Sequence, residues 1–125
     1  MPFEVSEQEF QRLVEAALAR IPERFRRVVT EDVPVQVADR PPRKMLRELG
    51  MADDELLLGL YEGPSIEERV EMPAVPARIW LFREDIEDAS TDRDDLVEQV
   101  RITLLHELGH YMGLDEDDLD ALGYA

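Results

Sequence analysis

Apolar residues recur at helical spacing from the start of the chain. Phe10, Leu13, Val14, Ala17, Leu18 and Ile21 fall on one stripe. Ser6 precedes them as N-cap with Glu9 three positions on, the capping-box pair in which the glutamate reaches back to the cap amide. Pro22 interrupts this helix, and residues 23–29 are expected to add one short turn. At Val33-Pro34-Val35-Gln36-Val37 the period drops to two and the side chains become β-branched, predicting a strand whose proline belongs at its start or on a sheet edge. Arg40-Pro41-Pro42-Arg43 reads as a turn, and Lys44 to Leu49 as a short helix ended by Gly50. Leu56 to Tyr61 predicts a second strand, bounded by Gly63-Pro64. Residues 63–77, with Pro64, Pro73 and Pro76, read as a long surface loop with a short extended piece around Arg69 to Glu71. Arg78-Ile79-Trp80-Leu81-Phe82 is the clearest strand.

The pattern then returns to 3.6. Asp92 can cap a helix running to about Met112, with Asp94 and Asp95 in its first turn. Val97, Val100, Leu104, Leu108 and Tyr111 make one face, and Gln99, Thr103, His106 and His110 make another. The helix therefore has a packing side and a chemical side. Gly113 ends it, and Asp115 can cap a last short helix containing Leu119 and Leu122.

Composition narrows the class. The 125 residues predict one domain, 1–125, of mixed α and β elements. No run approaches the roughly 20 apolar residues of a membrane helix, and Met1-Pro2-Phe3-Glu4 does not open a secretory signal. Without cysteine there is no disulfide and no thiolate metal site. A cytoplasmic, monomeric protein is expected. Thirty acidic against 14 basic residues give a formal charge of −16. A field of that sign repels phosphate backbones and anionic lipid, so neither nucleic acid nor membrane is expected as a partner.

The chemical side of the last long helix holds both histidines of the chain, in His106-Glu107-Leu108-Gly109-His110. Imidazoles four residues apart stack one helical turn over the other and can reach one metal ion. The glutamate between them flanks that ion as a general base without being a ligand. The alternative is a pair of hydrogen-bonded helix histidines, but both rings lie off the core face. Catalytic zinc usually takes three protein ligands, and with no other His or Cys the third must be an acid. Gly113 supplies the left-handed turn that folds the chain back. The register from it favours Glu116, with Asp115 and Asp117 as alternatives that otherwise cap and charge the last helix. Gly109, which costs about 1 kcal/mol against alanine inside a helix, marks a close approach. The acidic run is not an EF-hand, since it lacks the sixth-position glycine and the twelfth-position glutamate.

From Trp80 onward, and most specifically at HELGHYMGLDEDDLDALG, the chain resembles the small bacterial zincin-like metallopeptidases, the minimal zincins. The resemblance implies a compact α+β zincin-like fold: a short mixed sheet of three to four strands packed on an N-terminal helix and the motif helix. It implies one zinc ion held by His106, His110 and Glu116, Glu107 as catalytic base, and a peptide or protein substrate. The family's third ligand is commonly Asp, so Glu116 is a departure longer by one methylene. The resemblance to the larger metzincins stops at Gly113, since no third His and no Met-containing turn follow. A shallow, open site is therefore expected. Tyr124 is a candidate oxyanion donor or, alternatively, an aromatic covering the core. An extended substrate could add to the strand edge at Leu56 to Tyr61. Two further readings stand beside the peptidase: a non-catalytic zinc-binding or regulatory module with the same fold, and an interaction domain with a vestigial motif.

Overall fold

The computed structural model describes residues 3–71 and 75–122. The first helix, α1 (Glu7–Leu18), is capped by the Ser6 hydroxyl, which accepts the Glu9 amide at 3.1 Å. Only half of the expected capping box forms, because the Glu9 carboxylate turns away to the Arg93 guanidinium. Phe10, Val14 and Ala17 are its buried residues. Pro22 starts a second helix, α2 (Glu23–Glu31), longer than the short turn expected there because Phe25 finds a buried seat.

The sheet has three strands: β1 (Val35–Ala38), β2 (Gly59–Glu62) and β3 (Arg78–Phe82). Their order is β1-β3-β2, with β1 parallel and β2 antiparallel to the central β3. Pro34 lies just before the edge strand β1, where its missing N–H costs nothing, and its carbonyl accepts the Ile79 amide at 3.0 Å. A short helix, α3 (Arg43–Glu48), follows β1 and stops near Gly50, whose φ is +73°.

Two expectations in the middle of the chain are corrected. The second strand covers 59–62 rather than 56–61, because the Leu57 amide is spent on Asp85 Oδ2 (3.0 Å) instead of a strand partner. The piece around 69–71 is not extended but a 3₁₀ turn, Glu68–Val70. Its cause is local: Ser65 and Glu68 exchange side-chain bonds to each other's amides at 3.1 and 3.3 Å.

A helix not foreseen from the sequence, α4 (Arg83–Asp88), follows β3 directly. It has no side-chain cap and is held instead by distant partners. Arg40 pairs with Glu84, Asp85 and Asp88 at 2.7, 2.9 and 3.1 Å, and Arg83 pairs with Asp39 at 3.0 Å; within the helix Arg83 also pairs with Glu87 at 2.9 Å. The long helix α5 (Arg93–Tyr111) and the terminal α6 (Glu116–Leu122) complete the chain. The core lies between α1, α5 and the inner face of the sheet, where Phe10, Ile79, Leu81, Val100, Leu104 and Leu108 are fully buried. Among the described residues no helix is long and apolar enough to cross a membrane.

Burial raises the pKa of Asp85 and of Glu87 more than their arginine partners lower it. The folded state then binds more protons than the unfolded one in the window above the ordinary carboxylate range. The stabilising contribution is complete below that range and is lost as pH rises through the elevated folded values. Metal-free protein is accordingly expected to melt at a higher temperature at pH 5 than at pH 7. The rise should be smaller in Asp85→Asn. A melting temperature that falls on this acidification would contradict the burial-dominated shifts.

Candidate metal centre

The Asp92 carboxylate caps α5 by accepting the Asp95 amide at 2.8 Å, and the five residues expected on the packing face are all buried. The helix is also covered on further sides. Thr103, expected on the chemical face, is buried beneath Gly59 of β2, where a Cβ would lie 2.6 Å from Thr103 Cγ2. Gly109 is in close approach as its helix cost implied: a Cβ there would lie 2.3 Å from Leu119 Cδ2 of α6. The exposed remainder narrows to a strip carrying His106 and His110.

The two rings meet edge to face, and their Nε2 atoms are 3.1 Å apart. The chain turns back after α5 through Gly113 (φ +81°), a left-handed conformation that costs glycine no steric penalty. Asp115 and Asp118 then cap α6 reciprocally, the Asp118 amide donating to Asp115 Oδ1 at 2.8 Å and the Asp115 amide to Asp118 Oδ2 at 3.1 Å. That register swings Glu116 over the histidines. Its Oε1 lies 3.4 Å from both Nε2 atoms. Asp115 is occupied as a cap, and among the described residues Glu116 is the one acid of this run with an oxygen within 4.0 Å of both rings. Tyr124 lies outside the described residues.

Glu107 belongs to the same cluster, since one ligand atom from each of His106, Glu107 and His110 lies within 4.8 Å of the others. Its surroundings differ from those of Glu116. Glu107 is buried, and its Oε1 accepts the Tyr61 amide of β2 at 2.7 Å. The other oxygen, Oε2, faces His106 Nε2 at 3.9 Å. Burial drives its pKa up, against the Tyr61 hydrogen bond and the two histidines, which pull it down. Glu116 is the closer third oxygen. Glu107 is a carboxylate locked at one end and open at the other.

Tyr61, which sequence reasoning placed in a strand without a role, supplies that lock. Backbones alternate along this stretch: Leu58 O, just before β2, accepts Phe82 N of β3 at 2.9 Å, and Tyr61 N turns the other way, to Glu107. A loop clamps the end of α5 close by, with Ile66 N donating to Tyr111 O at 2.7 Å and Arg69 Nη1 to the Tyr111 hydroxyl at 3.0 Å. A cleft of about 250 Å³ lies against His106 and Glu107, walled by Leu57, Leu58, Gly59, Ile102 and Thr103.

The donor set fits zinc. Tetrahedral coordination with N and O at about 2.0–2.2 Å puts neighbouring ligand atoms about 3.3–3.5 Å apart. The two edges to Glu116, both 3.4 Å, match it, and the 3.1 Å edge between the imidazoles is slightly short of it. Two imidazole nitrogens and a carboxylate oxygen converge on one region, and they are the donor types that a zinc ion takes.

A family model described as zincin-like metallopeptidase matches residues 30–124. A solved structure, a conserved hypothetical protein from T. thermophilus, is similar in fold, with a TM-score of 0.53 and 23% identity over 94% of this chain and 97% of that one. No curated protein matches the chain.

Proposed function

Because the chain belongs to the zincin-like metallopeptidase family, we propose that it is a zinc-dependent peptidase with His106, His110 and Glu116 as metal ligands and Glu107 as general base. The observation that carries this reading is the division of labour between two glutamates. Glu116 closes the triangle with the histidines, while Glu107 is held off it by the Tyr61 amide.

Zinc in such a site supplies Lewis acidity and lowers the pKa of a water toward about 7. The protein's own residues do the rest. Glu107 Oε2 is the free oxygen facing the histidines, so it receives the proton and later returns it to the leaving amine. The Tyr61 amide fixes the carboxylate's orientation, and its burial brings the pKa closer to the operating range of a base. The cleft beside Glu107 has room for one substrate side chain rather than a whole ligand, and its Leu57, Leu58 and Ile102 walls suit an aliphatic one. The edge of β2 away from β3 runs beside it, and its backbone groups other than the Tyr61 amide, which Glu107 holds, offer an extended peptide a place to pair.

Digestion of a mixed peptide library, read by mass spectrometry, tests this. Cleavage next to aliphatic residues is expected, abolished by a chelator and restored by zinc. Cleavage indifferent to chelation would assign the activity elsewhere. The small cleft also favours a second reading, a zinc-binding module without turnover, and for that reading one tightly bound zinc with no peptide cleaved is the expected result.

A further inference from the structure

Glu116 reaches the histidines only while α6 stays folded back on α5, and among the described side chains of α6 one is buried against that helix. From Glu116 to Ala121 every residue of α6 is exposed except Leu119, which is fully buried. Leu119 sits over Gly109, the residue before His110, so tightly that the glycine has no room for a methyl group. Glu116 and Leu119 are three positions apart, which puts both on the face of α6 turned toward α5. A helix of seven residues is marginal alone. Its acidic residues, Glu116, Asp117, Asp118 and Asp120, repel one another and gain nothing from the chain's charge of −16. The turn at Gly113 is closed by backbone bonds from Gly113 N to His110 O (3.1 Å) and from Leu114 N to Gly109 O (2.9 Å), which fix where α6 starts. The turn and the cap set where α6 begins and its register, and the packing of Leu119 holds the helix body, with the carboxylate on it, against α5.

We propose that the Leu119–Gly109 contact is the positioning device of the metal site. The buried leucine, resting in the notch left by the glycine, sets Glu116 on the two imidazoles and thereby determines affinity for a divalent cation, although neither residue touches the site. This rests on Glu116 being the third ligand. Without the contact, the carboxylate is spread over many orientations of a loosened helix and the ordering must be supplied at binding, which lowers affinity.

The test is competition for Zn²⁺ against a chromophoric chelator, on the whole chain. Leu119→Ala is expected to weaken zinc by about 10–100-fold, the range typical of residues that orient a ligand. Gly109→Ala should act in the same direction from the other side of the contact, while Leu119→Met, which keeps volume and apolarity, should stay within a few fold of wild type. In the Glu116→Ala background Leu119→Ala should cost nothing more, because the device then has no ligand to place. That non-additivity separates positioning from general destabilisation. Cooperative thermal unfolding of each metal-free variant confirms that it retains its core. If Glu116→Ala weakens zinc but Leu119→Ala and Gly109→Ala do not, or if the losses add in the double variant, the positioning role is overturned. If Glu116→Ala itself binds zinc as wild type does, the ligand assignment beneath it is overturned.

Discussion

Glu107→Gln is expected to slow zinc-dependent peptide cleavage by about two to four orders of magnitude, the usual worth of a positioned general base, with zinc still bound. The substitution is conservative where it touches the fold. A glutamine oxygen can accept the Tyr61 amide as Glu107 Oε1 does at 2.7 Å. A neutral amide is also easier to bury than the carboxylate whose pKa burial already raises. What changes is the second atom, the one facing His106, which becomes an amide nitrogen unable to take a proton. Kinetics on a single cleaved peptide, with zinc content measured on the same sample, check this. Equal rates for both proteins would show that the carboxylate has no part in the reaction.

The second large effect concerns the metal itself. His106→Ala and His110→Ala each remove one corner of a triangle whose edges are 3.1 and 3.4 Å. Each is expected to lose zinc by more than the roughly 10–100-fold that residues outside the coordination shell typically cost. Both rings sit on a partly exposed strip of α5, with side-chain exposures of 25% and 36%. The fold should therefore tolerate either change, and the loss can be read as a ligand effect. Elemental analysis after dialysis at neutral pH, where imidazole is free to bind, gives the result. Zinc retained in full by either variant would place the ion elsewhere.

The proposed ligands were legible in the sequence because their geometry is local. Four residues of helix set the histidine spacing, and a glycine that permits a left-handed turn brings Glu116 back. The helix carrying them was legible for similar reasons, with Asp92 at its cap and apolar residues at helical period. Missing from the sequence reading were the features made by long-range pairing. Helix α4 begins without a capping side chain and owes its place to Arg40, far earlier in the chain. The start of β2 moved because the Leu57 amide goes to Asp85, which no local pattern announces. Glu107 and the Tyr61 amide that holds it are 46 residues apart, and the wall formed by Leu57 and Leu58 follows from the same rearrangement. The close approach at Gly109 could be anticipated from its cost to the helix, but not that Leu119 would fill it.

The central claim is that two imidazoles and one carboxylate share a single ion. Zinc-edge X-ray absorption on the wild-type protein tests it directly. The account predicts one zinc per chain, with two imidazoles and oxygen completing the shell at about 2.0–2.2 Å. A shell containing fewer than two imidazoles, or no stoichiometric zinc after loading at neutral pH, would contradict it.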